Sequence, residues 1–233
     1  MKKFKGALVI MLALTCILGL SACGKKEGKK EIKNETKEET KKVVKPNYMI
    51  LVNKDSKLPD NWESQIELVE VTNGLGETYK VEKKTAEAYD KLRNDLLKDG
   101  ITIELDSTYR TVKEQQEIWD EFEKEKGIEY TKKYVAVPGT SEHHTGFAID
   151  IKIIKDGKVI DDNDEMTAEK EIFSKIHSKL AQYGFILRYP VGKEDITKYG
   201  AEVWHFRYID NVEIAQEIMK KGITLEEFFE HSK

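Results

Sequence analysis

From residue 47 onward, apolar and polar positions alternate in patterns that divide the chain into short strands and amphipathic helices. YMILVN (48–53) and IELVEV (66–71) predict two strands separated by a loop containing Pro59 and Asn61. From about Thr85 to Asp99, the residues Tyr89, Leu92 and Leu96 share one helical face, and Gly100 supplies the stop. ITIEL (101–105) alternates as a half-buried strand does. Thr111 and Glu114 have the spacing of a capping box, which opens a second helix with Val112, Gln115, Trp119 and Phe122 on one face. FAIDIKII (147–154) predicts a strand, with Asp156-Gly157 as a hairpin turn. A helix over about 168–183 turns Ile172, Ile176 and Leu180 inward and stops at Gly184. FILRY (185–189) and VWHFRYI (203–209) predict further strands, and two short helices begin at Asn211 and Thr224. No internal repeat is present. The order of elements predicts a single α+β domain over 47–233, with helices packed on a mostly antiparallel sheet.

The preceding residues change the picture of where this domain works. Lysines at 2, 3 and 5, an apolar run from Ala7 to Leu20, and small residues ahead of Cys23 have the layout of a secretory signal. That run is too short to favour a permanent span. LSAC, ending at Cys23, resembles a bacterial lipobox, which implies removal of residues 1–22 and lipidation of Cys23. The expected location is therefore extracytoplasmic, with a bacterial cell membrane as partner through the lipid anchor. Residues 24–46 contain nine lysines, five glutamates and almost no apolar side chains. Such a stretch cannot bury enough surface to offset its ordering entropy, and it reads as a tether, whether disordered or an exposed Glu/Lys helix.

Charge and cysteine usage then exclude whole classes. The leader carries +3 and the tether +4, so residues 47–233 carry −11 of a chain total of −4. An acidic domain argues against nucleic acid as a partner. The two cysteines are Cys16 and Cys23, so the domain holds no disulfide, thiolate metal site or cysteine nucleophile. His, Asp and Glu remain as candidate ligands and bases.

Two stretches concentrate those residues. In SEHHTGFAID (141–150), Phe147 and Ile149 share one strand face while Ala148 and Asp150 share the other. His143 precedes Asp150 in a Gly-punctuated segment that can fold back beside it. In AEVWHFRYI (201–209), Glu202 stands three residues before His205. Residues three apart on a regular strand face opposite ways, so Glu202 is expected on the turn entering the strand. Two histidines and one carboxylate give Zn²⁺ three ligands with one position open, and a second carboxylate can take a proton from the attacking water.

These segments resemble the M15 family of zinc peptidases, especially its VanY-like D-alanyl-D-alanine carboxypeptidases. SxHxxGxAxD is matched by Ser141, His143, Gly146, Ala148 and Asp150, and ExWH by Glu202, Trp204 and His205. SxYR with a later Gln is matched by Ser107, Tyr109, Arg110 and Gln115. GFILRYP (184–190) and LVNK (51–54) extend the likeness across most of the domain. The resemblance implies that His143, Asp150 and His205 bind zinc and that Glu202 is the general base. It implies peptidoglycan stem peptides as substrate, with loss of the C-terminal D-alanine. Arg110 suits either the substrate carboxylate or the oxyanion, since its planar fork matches such groups. Gln115 is placed to share that carboxylate, and Ser141 and Tyr109 are candidate lining groups. Two departures stand out: His144 where relatives often carry Gln, expected beside the ligands or on the pocket wall, and Val203 where a proline is usual. An L,D-carboxypeptidase or endopeptidase of the same fold remains open, as does a non-catalytic cell-wall or solute-binding lipoprotein, although the latter gives Glu202 no reason to stand near His205.

Overall fold

A computed structural model describes residues 46–231. The predicted signal, Cys23 and nearly all of the tether lie outside the described residues. β1 (Leu68–Thr72) and β2 (Thr78–Glu82) form an antiparallel hairpin. The main sheet contains β3 (Thr102–Ser107), β4 (Ala148–Lys155), β5 (Lys158–Ile160), β6 (Phe185–Tyr189) and β7 (Glu202–Tyr208), in the order β3-β4-β7-β6 with β5 paired to β4. Every pairing is antiparallel, as the alternating patterns predict.

Alternation along β4 separates core from cleft. Phe147, just ahead of the strand, and Ile149, Ile151 and Ile153 are at most 1% exposed. They pack with Leu92 and Leu96 of α1 (Lys83–Lys98) and with Phe173, Ile176 and Leu180 of α5 (Lys170–Leu180). Each such side chain contributes roughly 1.5–3 kcal/mol by leaving water. Ala148, Asp150 and Lys152 point to the other side. α1 begins two residues before the apolar periodicity does, because the Glu82 carboxylate accepts from the Thr85 N–H as N-cap.

α2 (Val112–Lys126) opens with the predicted capping box between Thr111 and Glu114. Its apolar face behaves differently from expectation. Val112 is 53% exposed and Gln115 alone in the helix is buried, because this face borders a cleft and not the core. α3 (Ile128–Tyr134) follows after Gly127, too short to register as a periodicity.

Other expectations need correction. YMILVN forms no strand; its one bridge joins Asn53 to Ser56. The carbonyls of Tyr48 and Ile50 accept instead from Arg207 Nη2, at 3.0 and 2.7 Å, which removes the need for a ladder. The helix expected over 168–183 is split into α4 (Asn163–Ala168), α5, and a 3₁₀ turn (Ala181–Tyr183) that ends at Gly184. After α6 (Glu194–Thr197) and β7 come α7 (Val212–Lys221) and α8 (Leu225–His231), starting where Asn211 and Thr224 predict.

Candidate metal centre and cleft

The loop carrying His143 is shaped by its own short side chains. Residues Glu142–Thr145 form a 3₁₀ turn, and Ser141 Oγ caps it by accepting from the His143 N–H at 3.3 Å. Gly146 ends the turn at φ 76°, where a Cβ would lie 3.1 Å from Glu82 Cβ and 3.2 Å from Ile66 Cδ1. Only glycine tolerates that conformation and that closeness together. The next residue enters the core and β4 begins.

Sheet register supplies the other two groups. Asp150 of β4 lies directly opposite His205 of β7, so their side chains leave the sheet on the same side. His143 Nε2 lies 3.2 Å from Asp150 Oδ2, and His205 Nδ1 lies 2.8 Å from Asp150 Oδ1. One ligand atom from each residue falls within 4.8 Å of the others. Glu202 joins them, though not from a turn: it is the first residue of β7. Leu187 pairs with Phe206 but Tyr189 with Glu202, so four residues of β7 span two of β6. This irregularity cancels the alternation and leaves Glu202 Oε2 3.6 Å from His205 Nδ1.

The protonation pattern is that of a metal site. His143 Nδ1 donates to the Thr108 carbonyl at 2.7 Å, which leaves Nε2 with its lone pair toward Asp150. Burial, helped by Arg110, lowers the His143 pKa to about 4 and keeps the ring neutral. Burial works against the Asp150 carboxylate, but the two histidines hold it well below the usual carboxylate range. Burial likewise opposes a charged His205, yet Asp150, Glu142 and Glu202 raise it to about 9. A site where three carboxylates pull a proton onto an imidazole is a site where a cation is wanted. Glu202 is pushed up to about 7, first by burial and then by Asp150 and Glu142.

Among the described residues, the buried side-chain atoms lacking a hydrogen-bond partner are Arg110 Nε, Gln115 Oε1, Glu142 Oε2, Asp150 Oδ1, Tyr199 Oη and His205 Nε2. All six residues line one cleft of about 200 Å³. Orphaned buried polar atoms are costly, so their confinement to one cleft marks a place that binds something. The acceptor Asp150 Oδ1, facing a ring nitrogen without hydrogen-bond geometry, fits a shared cation. The donor set of two imidazoles and one carboxylate suits Zn²⁺.

The remaining candidates divide. Arg110 lines the cleft, and its backbone N–H donates to the His143 carbonyl at 3.3 Å. Ser141 also lines it. Gln115 does too, but its Nε2 is committed to the Ala136 carbonyl at 2.9 Å. Its Oε1, buried without a protein partner, is an acceptor that a substrate N–H can meet. Tyr109 lies outside this cleft, in a neighbouring groove with Glu63, because adjacent residues of extended chain face opposite ways. Sequence reasoning missed Glu142, Arg188 and Arg207, all fully buried. The available signal was an arginine inside each of the apolar strands FILRY and VWHFRYI.

Fold and site together define a zinc metallopeptidase. Residues 78–211 match the family model VanY, described as D-alanyl-D-alanine carboxypeptidase, and the chain belongs to that family. It is 36% identical over 189 residues to the bifunctional D-Ala-D-Ala dipeptidase and D-Ala-D-Ala carboxypeptidase VanXYC of Enterococcus gallinarum, covering 79% of this chain and 95% of that one. The structure is similar to that of the vancomycin resistance D,D-pentapeptidase VanY in complex with Zn(II), at a TM-score of 0.66 and 32% identity over 79% of this chain and 99% of that one. It is also similar to the LD-carboxypeptidase LdcB, at a TM-score of 0.68 and 36% identity over 79% and 86%.

Proposed function

We propose that the protein is an exported enzyme, held on the membrane through Cys23, that removes the C-terminal D-alanine from peptidoglycan stem peptides. The carrying observation is the proximity of Glu202 to the His143, Asp150 and His205 cluster, in a cleft whose unpartnered polar groups include the guanidinium Nε of Arg110. In this reading His143, Asp150 and His205 hold zinc through Nε2, a carboxylate oxygen and Nδ1. When bound, zinc supplies Lewis-acid polarisation of the scissile carbonyl and acidification of a water. Glu202 takes the proton of the attacking water as its oxygen joins the carbonyl carbon, and passes that proton to the departing amine as the C–N bond breaks. Burial keeps the Glu202 carboxylate basic enough for both transfers. Arg110 receives the free carboxylate of the terminal residue, a group that cannot be buried without a cation or equivalent donors.

Similarity to LdcB supports a second reading, in which the scissile bond joins an L- to a D-residue. Incubating the protein with penta- and tetrapeptide stems, then identifying the released amino acid and the shortened peptide, separates the two. Release of D-alanine from the pentapeptide alone supports the first; release from the tetrapeptide alone replaces it with the second.

A further inference from the structure

Behind His205, on the side away from the metal-facing atoms, lies a buried group of four charges. Arg188 Nε and Arg207 Nη1 both donate to the same oxygen of Glu142, Oε1, each at 2.7 Å. Arg188 spends its other two nitrogens on Glu226 of α8, at 2.9 and 2.6 Å. Arg207 directs Nε to the Tyr208 carbonyl and Nη2 to the carbonyls of Tyr48 and Ile50. Glu142, Arg188 and Arg207 have fully buried side chains. The arrangement is expensive to desolvate and needs every member to stay paired.

Its asymmetry is informative. Both arginines converge on Oε1, and Oε2 has no hydrogen-bond partner. His205 Nε2 also has none, and it faces Glu142 Oε2 at 3.6 Å. The two orphans are complementary, an acceptor and a ring nitrogen free to carry a proton, and a small shift joins them. We infer that Glu142 is a positioning residue for the metal centre: clamped by Arg188 and Arg207, it holds the proton of His205 on Nε2 and so keeps Nδ1 bare toward Asp150 and the cation. A metal-ligating histidine generally needs its other nitrogen fixed in this way. The inference rests on His205 holding zinc through Nδ1. It also explains why the N-terminal segment at 48–50 and helix α8 are tied by charge to the floor of the cleft: they anchor the arginines that orient Glu142.

The test is Glu142→Gln in the full chain. With its amide oxygen kept between the two arginines, the NH₂ group must occupy the place of Oε2 and aim a donor at His205 Nε2. That hydrogen bond requires the proton to move to Nδ1, where it competes with the metal. Zinc affinity, measured by competition with a chelator, should fall roughly 10- to 100-fold, and the visible absorption spectrum of the Co²⁺-loaded protein should change. Arg93→Ala, which breaks a distant ion pair with Glu104, lowers stability and should leave both readings as in the parent. Zinc affinity within twofold of the parent and an unchanged cobalt spectrum in Glu142→Gln would overturn the inference. His205→Ala separates it from the ligand assignment. If His205→Ala weakens zinc and Glu142→Gln does not, only the positioning role fails; if His205→Ala binds zinc as the parent does, the ligand assignment fails first. Should Glu142→Gln not fold, Glu142→Asp keeps the charge but withdraws the oxygen from His205, and parental zinc affinity there overturns the inference equally.

Discussion

The ring of His144 is bonded through Nδ1 to the backbone carbonyl of Arg110 at 2.7 Å. Its other nitrogen, Nε2, accepts from the Gly139 N–H at 3.0 Å. A carbonyl must accept and an amide must donate, so the tautomer is settled: the proton is on Nδ1, the ring is neutral, and burial lowers its pKa in keeping. With both nitrogens committed, His144 has none to offer a metal. It fastens the Arg110 backbone to the loop forming the cleft wall, as His143 does from its own carbonyl.

His144→Ala should therefore leave zinc binding intact while loosening Arg110. Two hydrogen bonds to buried backbone groups are lost, at about 1–3 kcal/mol for each group left unpaired. At about 2–4 °C per kcal/mol for a domain of this size, the melting temperature should fall several degrees. KM for peptides with a free carboxylate should rise more than kcat falls. Glutamine carries an NH₂ donor group and a carbonyl acceptor on a comparable stem, so His144→Gln should restore most of both. A glutamine variant as damaged as the alanine variant would argue that the ring itself, and not its two bonds, is required.

His143→Ala, Asp150→Ala and His205→Ala should each weaken zinc binding by more than the roughly 10- to 100-fold typical of losing an outer-sphere partner. Glu202→Gln should separate from this set, keeping metal while hydrolysis falls about 10²- to 10⁴-fold, because in the proposed mechanism its carboxylate moves a proton and holds no ligand position. Chelator titration with turnover on a stem pentapeptide measures both. Near-parental turnover of Glu202→Gln would take that residue out of the mechanism, and parental zinc affinity in two of the three alanine variants would dissolve the proposed centre.

Arg110 decides between a carboxylate clamp and an oxyanion donor. If it receives the terminal carboxylate, Arg110→Ala and amidation of the substrate C-terminus remove one interaction, and combining them should cost little more than either alone. If it stabilises the oxyanion, its loss should depress turnover on free and amidated peptides alike. Fully additive losses in kcat/KM reject the clamp. Efficient cleavage of amidated or internal peptides would move the enzyme to the endopeptidases.

The proposed tether has a functional prediction of its own. Deleting residues 25–45 while keeping Cys23 should leave activity on soluble peptides unchanged and reduce release of D-alanine from intact wall. A flexible chain of this length has a root-mean-square reach of roughly 25 Å, which limits how far a membrane-held site explores. Equal processing of wall by the shortened protein would make the tether passive.

Local pattern was sufficient for much of the domain. The alternation of FAIDIKII placed Asp150 off the core face, the Thr111–Glu114 pair marked the start of α2, and Gly184 marked the end of the helical run before β6, because each depends on residues within a few positions of one another. His143, Asp150, Glu202 and His205 were legible as a group only from their spacing within recognisable motifs. Tertiary structure decided the rest. An irregular β6–β7 register brings Glu202 round to His205, a matter of how two strands pair and not of either strand's sequence. YMILVN is apolar enough for a strand, yet its carbonyls are claimed by an arginine more than 150 positions away. Glu142 looks like one more loop acid until Arg188 and Arg207 close over it. Charges buried at long range leave no periodic trace, since the free energy that holds them depends on partners the chain brings together only after it has folded.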